Sequence, residues 1–427
     1  MRLSKDLFQR FLKSRLIIGS FIMTVGTVVG GVGNYIYHLL MGRMLGPADY
    51  GILVSLISLF YLLSIPVATL SLVIVKFVST FKGKKDFASI SGLLRVGTKK
   101  ILPFSFLVLL IFLLLAPFVT SFLHLSSILP YILVLVVFFI GIFSTINRAV
   151  LQGLFRFGFL TLSGVVETGL KLATALLLVI LGFKVNGALG GILMGGVVGL
   201  LFTFFPLRFL WSQKQKRELK MGEMFNFALP VFFSTLAFTS LYTTDVILVR
   251  HFLPGATSGL YAALSTLGKI IFFISGPVIA VMFPLVSERH ASGSNYRHLL
   301  WASLSLVTLV CFLSTSVYFL FPSFMINVLY GKQYLPAVPY LGLFGIFLSF
   351  YSLSFLLTNF FLSIGKTKTV IFPLIAGLLQ IIFICLFHQN LWQVIFISIS
   401  LLALLFLGLL LYWFQYVRQK RQLWLTK

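Results

Sequence analysis

Lys269 lies near the middle of a long apolar run, and Tyr261, Ser265 and Lys269 recur at i, i+4 and i+8, which places all three on one helix face. No acidic residue stands at helical spacing from it. Its partner is therefore Asp245, a backbone carbonyl or an anionic substrate. Lys171 sits in a second apolar run with Glu167 one turn earlier. That i, i+4 pair either neutralises itself or handles substrate or protons. Asp245 closes a third run and has Arg250 and Arg43 as expected partners at an outer mouth. Polar side chains at membrane depth are costly, so these are the primary candidates for function.

Motifs for other chemistry are absent from the sequence. There is no phosphate-cradling GxxxxGK[ST] loop, no HExxH and no GxSxG. Only eight acidic residues occur, and no two share a helix face at membrane depth. Neither an enzyme nor an ATP-driven pump is expected, and neither a cofactor nor a metal site. Cys311 and Cys385 both fall in apolar runs and read as buried, unpaired thiols.

The elements that must position these residues are transmembrane helices. The chain is 59% hydrophobic and 10% charged, more apolar surface than a soluble fold of this length buries. Runs long enough to cross a bilayer fall at 16–41, 50–78, 101–123, 129–153, 160–183, 187–211, 224–250, 256–285, 299–322, 335–362, 368–388 and 391–416. The first is too long for a signal-peptide core and reads as a retained helix. The formal net charge of +25 would point to nucleic acid in a soluble protein. Here the basic residues collect on alternate connections, which is an orientation signal. Only Arg43, Lys184, Arg250 and Lys332 fall on the opposite side, while Lys171 and Lys269 lie within spans. Both termini are therefore expected in the cytoplasm and the chain in the plasma membrane, with no nucleic-acid partner.

The chain also repeats. Arg43–Leu56 (RMLGPADYGILVSL) has a lengthened copy in Thr243–Gly268 (TTDVILVRHFLPGATSGLYAALSTLG), with helices opening at Gly51 and Gly259. Pro66 and Pro277 match at the same offset of roughly 210 residues, and each is a candidate hinge because proline removes a helix hydrogen bond. The expected fold is all-α and integral to the membrane. Twelve transmembrane helices form two parallel six-helix lobes around a central cleft, with lobes at 1–212 and 224–427 joined by a linker at 213–223. In the first span Thr24, Thr27, Gly31, Asn34 and His38 form a small or polar stripe, whose plain reading is helix packing. The seventh is polar at Ser234, Thr235, Thr239, Ser240, Tyr242, Thr243, Thr244 and Asp245. Two polar spans in equivalent positions point to a shared water-filled cleft. Gly187, Gly191, Gly195 and Gly199 give the sixth span a smooth packing face.

Asp245–Ala263 (DVILVRHFLPGATSGLYAA) resembles the seventh and eighth helices of bacterial polysaccharide exporters, in the multidrug/oligosaccharidyl-lipid/polysaccharide exporter superfamily. The usual pattern there is Asp, a Leu-rich turn, then Gly-x-Tyr-x-x-Ala. Asp245, Gly259 and Tyr261 match, but Leu264 stands at the last position, with Ala262 and Ala263 just before it. Leu45–Leu53 (LGPADYGIL) looks like the first outer turn of the same family. The resemblance implies a flippase of polyprenyl-diphosphate-linked oligosaccharides, of the O-antigen kind, working in cell-surface polysaccharide synthesis by alternating access. It also implies membrane lipids as partners and Na+ or H+ as a coupling ion. Relatives that flip the peptidoglycan precursor have fourteen helices, and twelve here argues against that substrate.

The substrate-binding candidates are thus Lys269, Lys171, Glu167, Asn34, Ser265, Tyr261, Tyr242 and Asp245, with Arg43 and Arg250 at the outer mouth. A cation-coupled multidrug exporter is the alternative, but it calls for central carboxylates. A membrane glycan polymerase or glycosyltransferase calls for acidic residues beside a long outer loop, and a non-transporting scaffold leaves the two lysines without a role. The charge segregation makes a direct prediction. In intact cells an impermeant thiol reagent labels Ala48→Cys, Ser126→Cys and Gln389→Cys, but not Ala88→Cys. Labelling of the last from outside would overturn the scheme.

Overall fold

The computed structural model describes residues 15–211, 221–292 and 294–425, and every regular element among them is helical. In chain order the α-helices of the first half are α1 (Arg15–Leu63), α2 (Ile65–Gly83), α3 (Phe87–Leu114), α4 (Ala116–Phe122), α5 (Leu129–Gly153), α6 (Phe157–Leu178), α7 (Lys184–Phe204) and α8 (Arg208–Trp211). Those of the second half are α9 (Met221–Phe252), α10 (Gly255–Ala291), α11 (Arg297–Leu320), α12 (Pro322–Leu329), α13 (Val338–Ser363), α14 (Ile371–Leu386) and α15 (Leu391–Leu425).

Ten described helical runs are long and apolar enough to cross a membrane, or up to eleven if the pair Ser105–Leu114 and Ala116–Phe122, bent by 57°, is one span. The expected twelve are not reproduced one for one. The reason is chain geometry at two turns. The run Phe157–Leu210 is continuous in hydrogen bonding, yet Gly182 (φ 91°) and Lys184 (φ 46°) turn the backbone through the left-handed region. The legs on either side are antiparallel. Added methyl groups at Gly187, Gly191, Gly195 and Gly199 would meet Leu178, Ala175, Lys171 and Glu167 in that order. Likewise α1 contains Gly46 at φ 75°, ψ 171°, followed by Pro47. Glycine tolerates that conformation and proline cannot continue the hydrogen-bonding ladder, so the first span ends there.

The chain packs as two compact units. One comprises Met1–Leu45 with Leu63–Phe232, the other Gly46–Leu62 with Phe233–Lys427. The linker expected at 213–223 falls largely outside the described residues. In the first unit the α6–α7 hairpin is closed by the glycine face of α7, as its spacing implies. α1 lies on this hairpin through Gly26 and Gly33, whose α-carbons approach Thr161 and Thr168, and through Tyr37, whose hydroxyl donates to the Ala188 carbonyl at 2.9 Å. This is not the stripe expected from sequence. Gly31 and Asn34 are exposed within the unit, and the side chains of Thr24 and Thr27 lie outside the described ones. The packing face is offset because the smallest residues, not the polar ones, permit close approach.

In the second unit the two copies of the repeated turn pack on each other. A methyl group on Gly51 would lie 2.7 Å from Ser258 Oγ and 2.9 Å from the Gly259 nitrogen, and one on Gly259 would overlap the Pro47 carbonyl. Tyr50, fully buried, pins this crossing. Its hydroxyl is 3.1 Å from Thr266 Oγ1 and 3.2 Å from the Tyr330 hydroxyl. Pro66 does not lie mid-helix as expected. The helix is interrupted at Ser64, and Pro66 occupies the first turn of α2, where its missing N–H costs nothing. Pro277 lies inside α10, which runs through it unbroken. Cys311 is buried, but Cys385 is exposed on the apolar outer surface of α14, a correction to its expected burial. A face toward lipid is as apolar as a face toward the core, so composition does not separate the two.

The Gly51–Gly259 crossing gives a stability prediction. Gly259→Ala, which drives a methyl group into a backbone carbonyl, lowers stability by about 1–3 kcal/mol and reduces membrane abundance. Gly164→Ala, where nothing lies within 4 Å, leaves both unchanged or slightly improved. Thermal unfolding of the detergent-purified variants makes the comparison.

Candidate functional site

Lys269 extends from α10 in the second unit, and its Nζ lies 5.0 Å from the centroid of the Tyr242 ring on α9. The ring is held by neighbours from two other helices. Tyr351 of α13 meets it edge-on at 5.6 Å, and Phe272 of α10 stacks on it at 6.5 Å. Phe355 and Phe238 complete the aromatic wall behind Tyr351. Lys269 is half-buried, whereas Tyr261 and Ser265 on the same face are fully buried. The predicted face therefore runs from fully buried residues to a partly exposed lysine. The ring attracts the ammonium through its quadrupole, a contact worth up to about 2 kcal/mol when desolvated.

Asp245 is the buried carboxylate of this unit, 0% exposed, and it accepts a hydrogen bond from the Tyr261 hydroxyl at 2.8 Å. Its other oxygen, Oδ1, is buried without a hydrogen bond. The expected pairing with Arg250 is not formed. Arg250, itself buried, donates to Ser258 Oγ at 3.3 Å and feels Asp49 as its acidic neighbour. The cause is helix phase. Residues 245 and 250 lie five apart and so point away from each other, while the start of α10 brings Tyr261 back alongside α9. Polar residues of α9 largely satisfy one another. The hydroxyls of Ser240 and Thr244 are 3.0 Å apart, and Thr243 donates to the Thr239 carbonyl.

The first unit carries a second cation. Lys171 of α6 is buried and donates to Asn34 Oδ1 on α1. Its Nζ lies 4.7 Å from the centroid of the Tyr37 ring, one turn along α1. The candidate pair Glu167–Lys171 does not form. Glu167 instead makes an ion pair with Arg148 of α5, beside Asn147, which donates to Thr203 Oγ1 at 3.0 Å. Local spacing permitted the i, i+4 pair, but the approach of α5 offered Glu167 a guanidinium, a stronger partner for a carboxylate. Among the described residues, then, neither Lys171 nor Lys269 forms an ion pair, and no group of three potential metal ligands occurs.

Sequence reasoning named Tyr242 among its candidates but missed Tyr37, Phe272 and Tyr351. Phe272 and Tyr37 were within reach of it, since each stands three residues from a named candidate on the same helix. Tyr351 carries no such signal, because its helix is remote in the chain. The chemistry the two lysines offer is binding of an oxyanion by charged N–H donors in a poorly hydrated setting.

Comparison with known proteins gives a consistent picture. The family described as polysaccharide biosynthesis protein matches residues 40–339. An uncharacterized membrane protein of Methanocaldococcus jannaschii is 23% identical over 282 residues, spanning 60% of this chain and 63% of that protein. Among solved structures, an inward-facing multidrug resistance transporter of the MATE family, in the MOP superfamily, superposes with TM-score 0.79 at 13% identity, covering 90% of this chain and 94% of the other. The lipid II flippase MurJ in an inward closed conformation gives 0.71 at 16% identity, covering 93% and 87%. The fold is that of MOP-superfamily transporters, and the protein is a multi-pass membrane protein.

The Asp245 geometry is open to a double-mutant cycle. Tyr261→Phe combined with Asp245→Asn shows a coupling of about 1–3 kcal/mol in thermal or chemical unfolding. The cycle of Arg250→Gln with Asp245→Asn shows none. Coupling in the second cycle and not the first would restore the Arg250 pairing.

Proposed function

The chain belongs to the polysaccharide biosynthesis protein family, and from that premise we propose that it is a flippase for a polyprenyl-diphosphate-linked oligosaccharide, moving it across the plasma membrane by alternating access. The observation that carries this reading is Lys269, a partly exposed lysine on a largely buried helix face, whose ammonium rests over a ring and makes no ion pair, with Asp245 acting on it only at longer range. A diphosphate is an anion that must shed water to cross an apolar slab, and a charged donor already inside the protein replaces part of that hydration. Lys171 with Asn34 is the corresponding site in the first unit. The polar side chains of α9 suit a glycan, whose hydroxyls need partners away from water. A coupling Na+ or H+ would meet Asp245, the buried carboxylate with one oxygen left without a hydrogen bond. Both termini face the cytoplasm in this scheme, and Pro277 and the Ser64–Pro66 break, each of which lacks a backbone N–H donor, are its hinges.

The multidrug-exporter alternative draws support from the fold it shares with the MATE transporter. The charge at the site speaks against cationic cargo. Lys171 and Lys269 make no ion pair, while the carboxylates Asp245 and Glu167 are already engaged by Tyr261 and Arg148.

Substitution at Lys269 tests the proposal. Lys269→Ala lowers outer-leaflet glycan by about tenfold or more, the worth of a charge-assisted contact. The protein still accumulates in the membrane, because a desolvated charge has been removed. Lys269→Arg keeps the charge with altered reach and retains part of the activity. Normal glycan export at normal abundance in the alanine variant would end the substrate role.

A further inference from the structure

The two lysines share a feature that no comparison assigns. Each rests on the face of a tyrosine from the opening helix of its repeat. Lys171 lies over Tyr37 in the first unit and Lys269 over Tyr242 in the second. Neither tyrosine is loosely placed. Tyr37 is tied through its hydroxyl to the Ala188 carbonyl, and Tyr242 is wedged between Phe272 and Tyr351. Carboxylates were available to take the same role. Glu167 stands one turn from Lys171 yet pairs with Arg148, and Asp245 lies one turn from Tyr242 yet holds the Tyr261 hydroxyl, so each acts on its lysine only at longer range and without an ion pair.

We propose that the Tyr242 ring, and in the first unit the Tyr37 ring, is the resting place from which a diphosphate draws the lysine. The proposal rests on Lys269 being an anion-binding residue. A lysine alone in an apolar site lowers its cost by giving up its proton. A carboxylate partner would keep it charged but would hold it too well, and an incoming anion would have to leave that carboxylate buried and unpaired. A ring face avoids both outcomes. It favours the ammonium over the neutral amine, and it carries no net charge to strand once the ammonium moves to a phosphate oxygen. Tyr242 and Tyr37 are accordingly positioning residues, which keep the cation charged and releasable.

The test uses the full-length protein in lipid nanodiscs, with inorganic pyrophosphate as probe and calorimetry as readout. Tyr242→Glu supplies a permanent partner. Pyrophosphate affinity falls by about tenfold or more, while the melting temperature holds or rises, because a buried charge has gained a counter-ion. Tyr242→Phe keeps the ring face and binds within about twofold of wild type. A second series does not depend on tolerating a new charge. Phenylalanine carrying one, two or three fluorines at position 242 is close in shape to phenylalanine but has a progressively weaker ring quadrupole. In mildly acidic buffer, where the amine stays charged on a weakened ring as well, displacing Lys269 becomes easier, and pyrophosphate affinity rises stepwise, by about threefold or more over the series. A flat or falling trend overturns the resting-place role, as does Tyr242→Glu binding like wild type. Lys269→Ala separates this failure from the larger one. If it abolishes pyrophosphate binding while the fluorine series is flat, only the tyrosine inference fails. If Lys269→Ala binds normally, the anion site fails and the inference with it.

Discussion

A cation inside an apolar slab must have a partner, and that constraint governs what surrounds Lys171 and Lys269. Water is not at hand to solvate them, and an uncompensated charge there costs several kcal/mol. Each lysine meets the constraint with a tyrosine face, and Lys171 adds the Asn34 amide oxygen. The carboxylates meet it with other groups, Glu167 with Arg148 and Asp245 with Tyr261. The result is a set of charges in which the anions are bonded directly to other groups, while the cations rest on neutral groups and feel Glu167 and Asp245 only at longer range. The proposed preference for anionic cargo rests on this arrangement.

Close backbone approach is the second requirement. Partners on different helices reach one another only if the helices pack tightly, and glycine supplies the room. The glycine face of α7 lets α6 come near enough that Gly195 and Gly199 touch Lys171 and Glu167 directly. In the second unit, the Gly51–Gly259 crossing holds the outer part of α1 against the start of α10, and the Tyr50–Thr266–Tyr330 hydroxyl cluster sits beneath it. The repeated turn seen in the sequence is therefore a pair of mutually fitting surfaces as well as a record of duplication.

The fold is shared with a multidrug transporter and with a lipid II flippase at 13–16% identity, a level at which architecture persists while cargo differs. Within one architecture, the sign of the accessible charge is what separates cationic drugs from lipid diphosphates. That sign is set by a few side chains on the same helices, so it can change without disturbing the packing that keeps the fold.

The sequence by itself determined the class. Its apolar fraction forced a membrane protein, its spacing of runs forced helices, and its glycine period on α7 announced a close packing face. It also placed Lys171, Lys269 and Asp245 inside spans, because depth along an apolar run is a one-dimensional property. Partner choice is not one-dimensional. Helical spacing offered Lys171 to Glu167 and proximity offered Arg250 to Asp245, but α5 brought in Arg148 and the return of α10 brought in Tyr261. The same limit applies to exposure, since Cys385 and Cys311 lie in equally apolar runs and only packing decides which one faces outward. The aromatic seats of the two lysines belong to this second group. A ring on one helix and an amine on another leave no common trace in the chain, and only the tertiary structure sets one over the other.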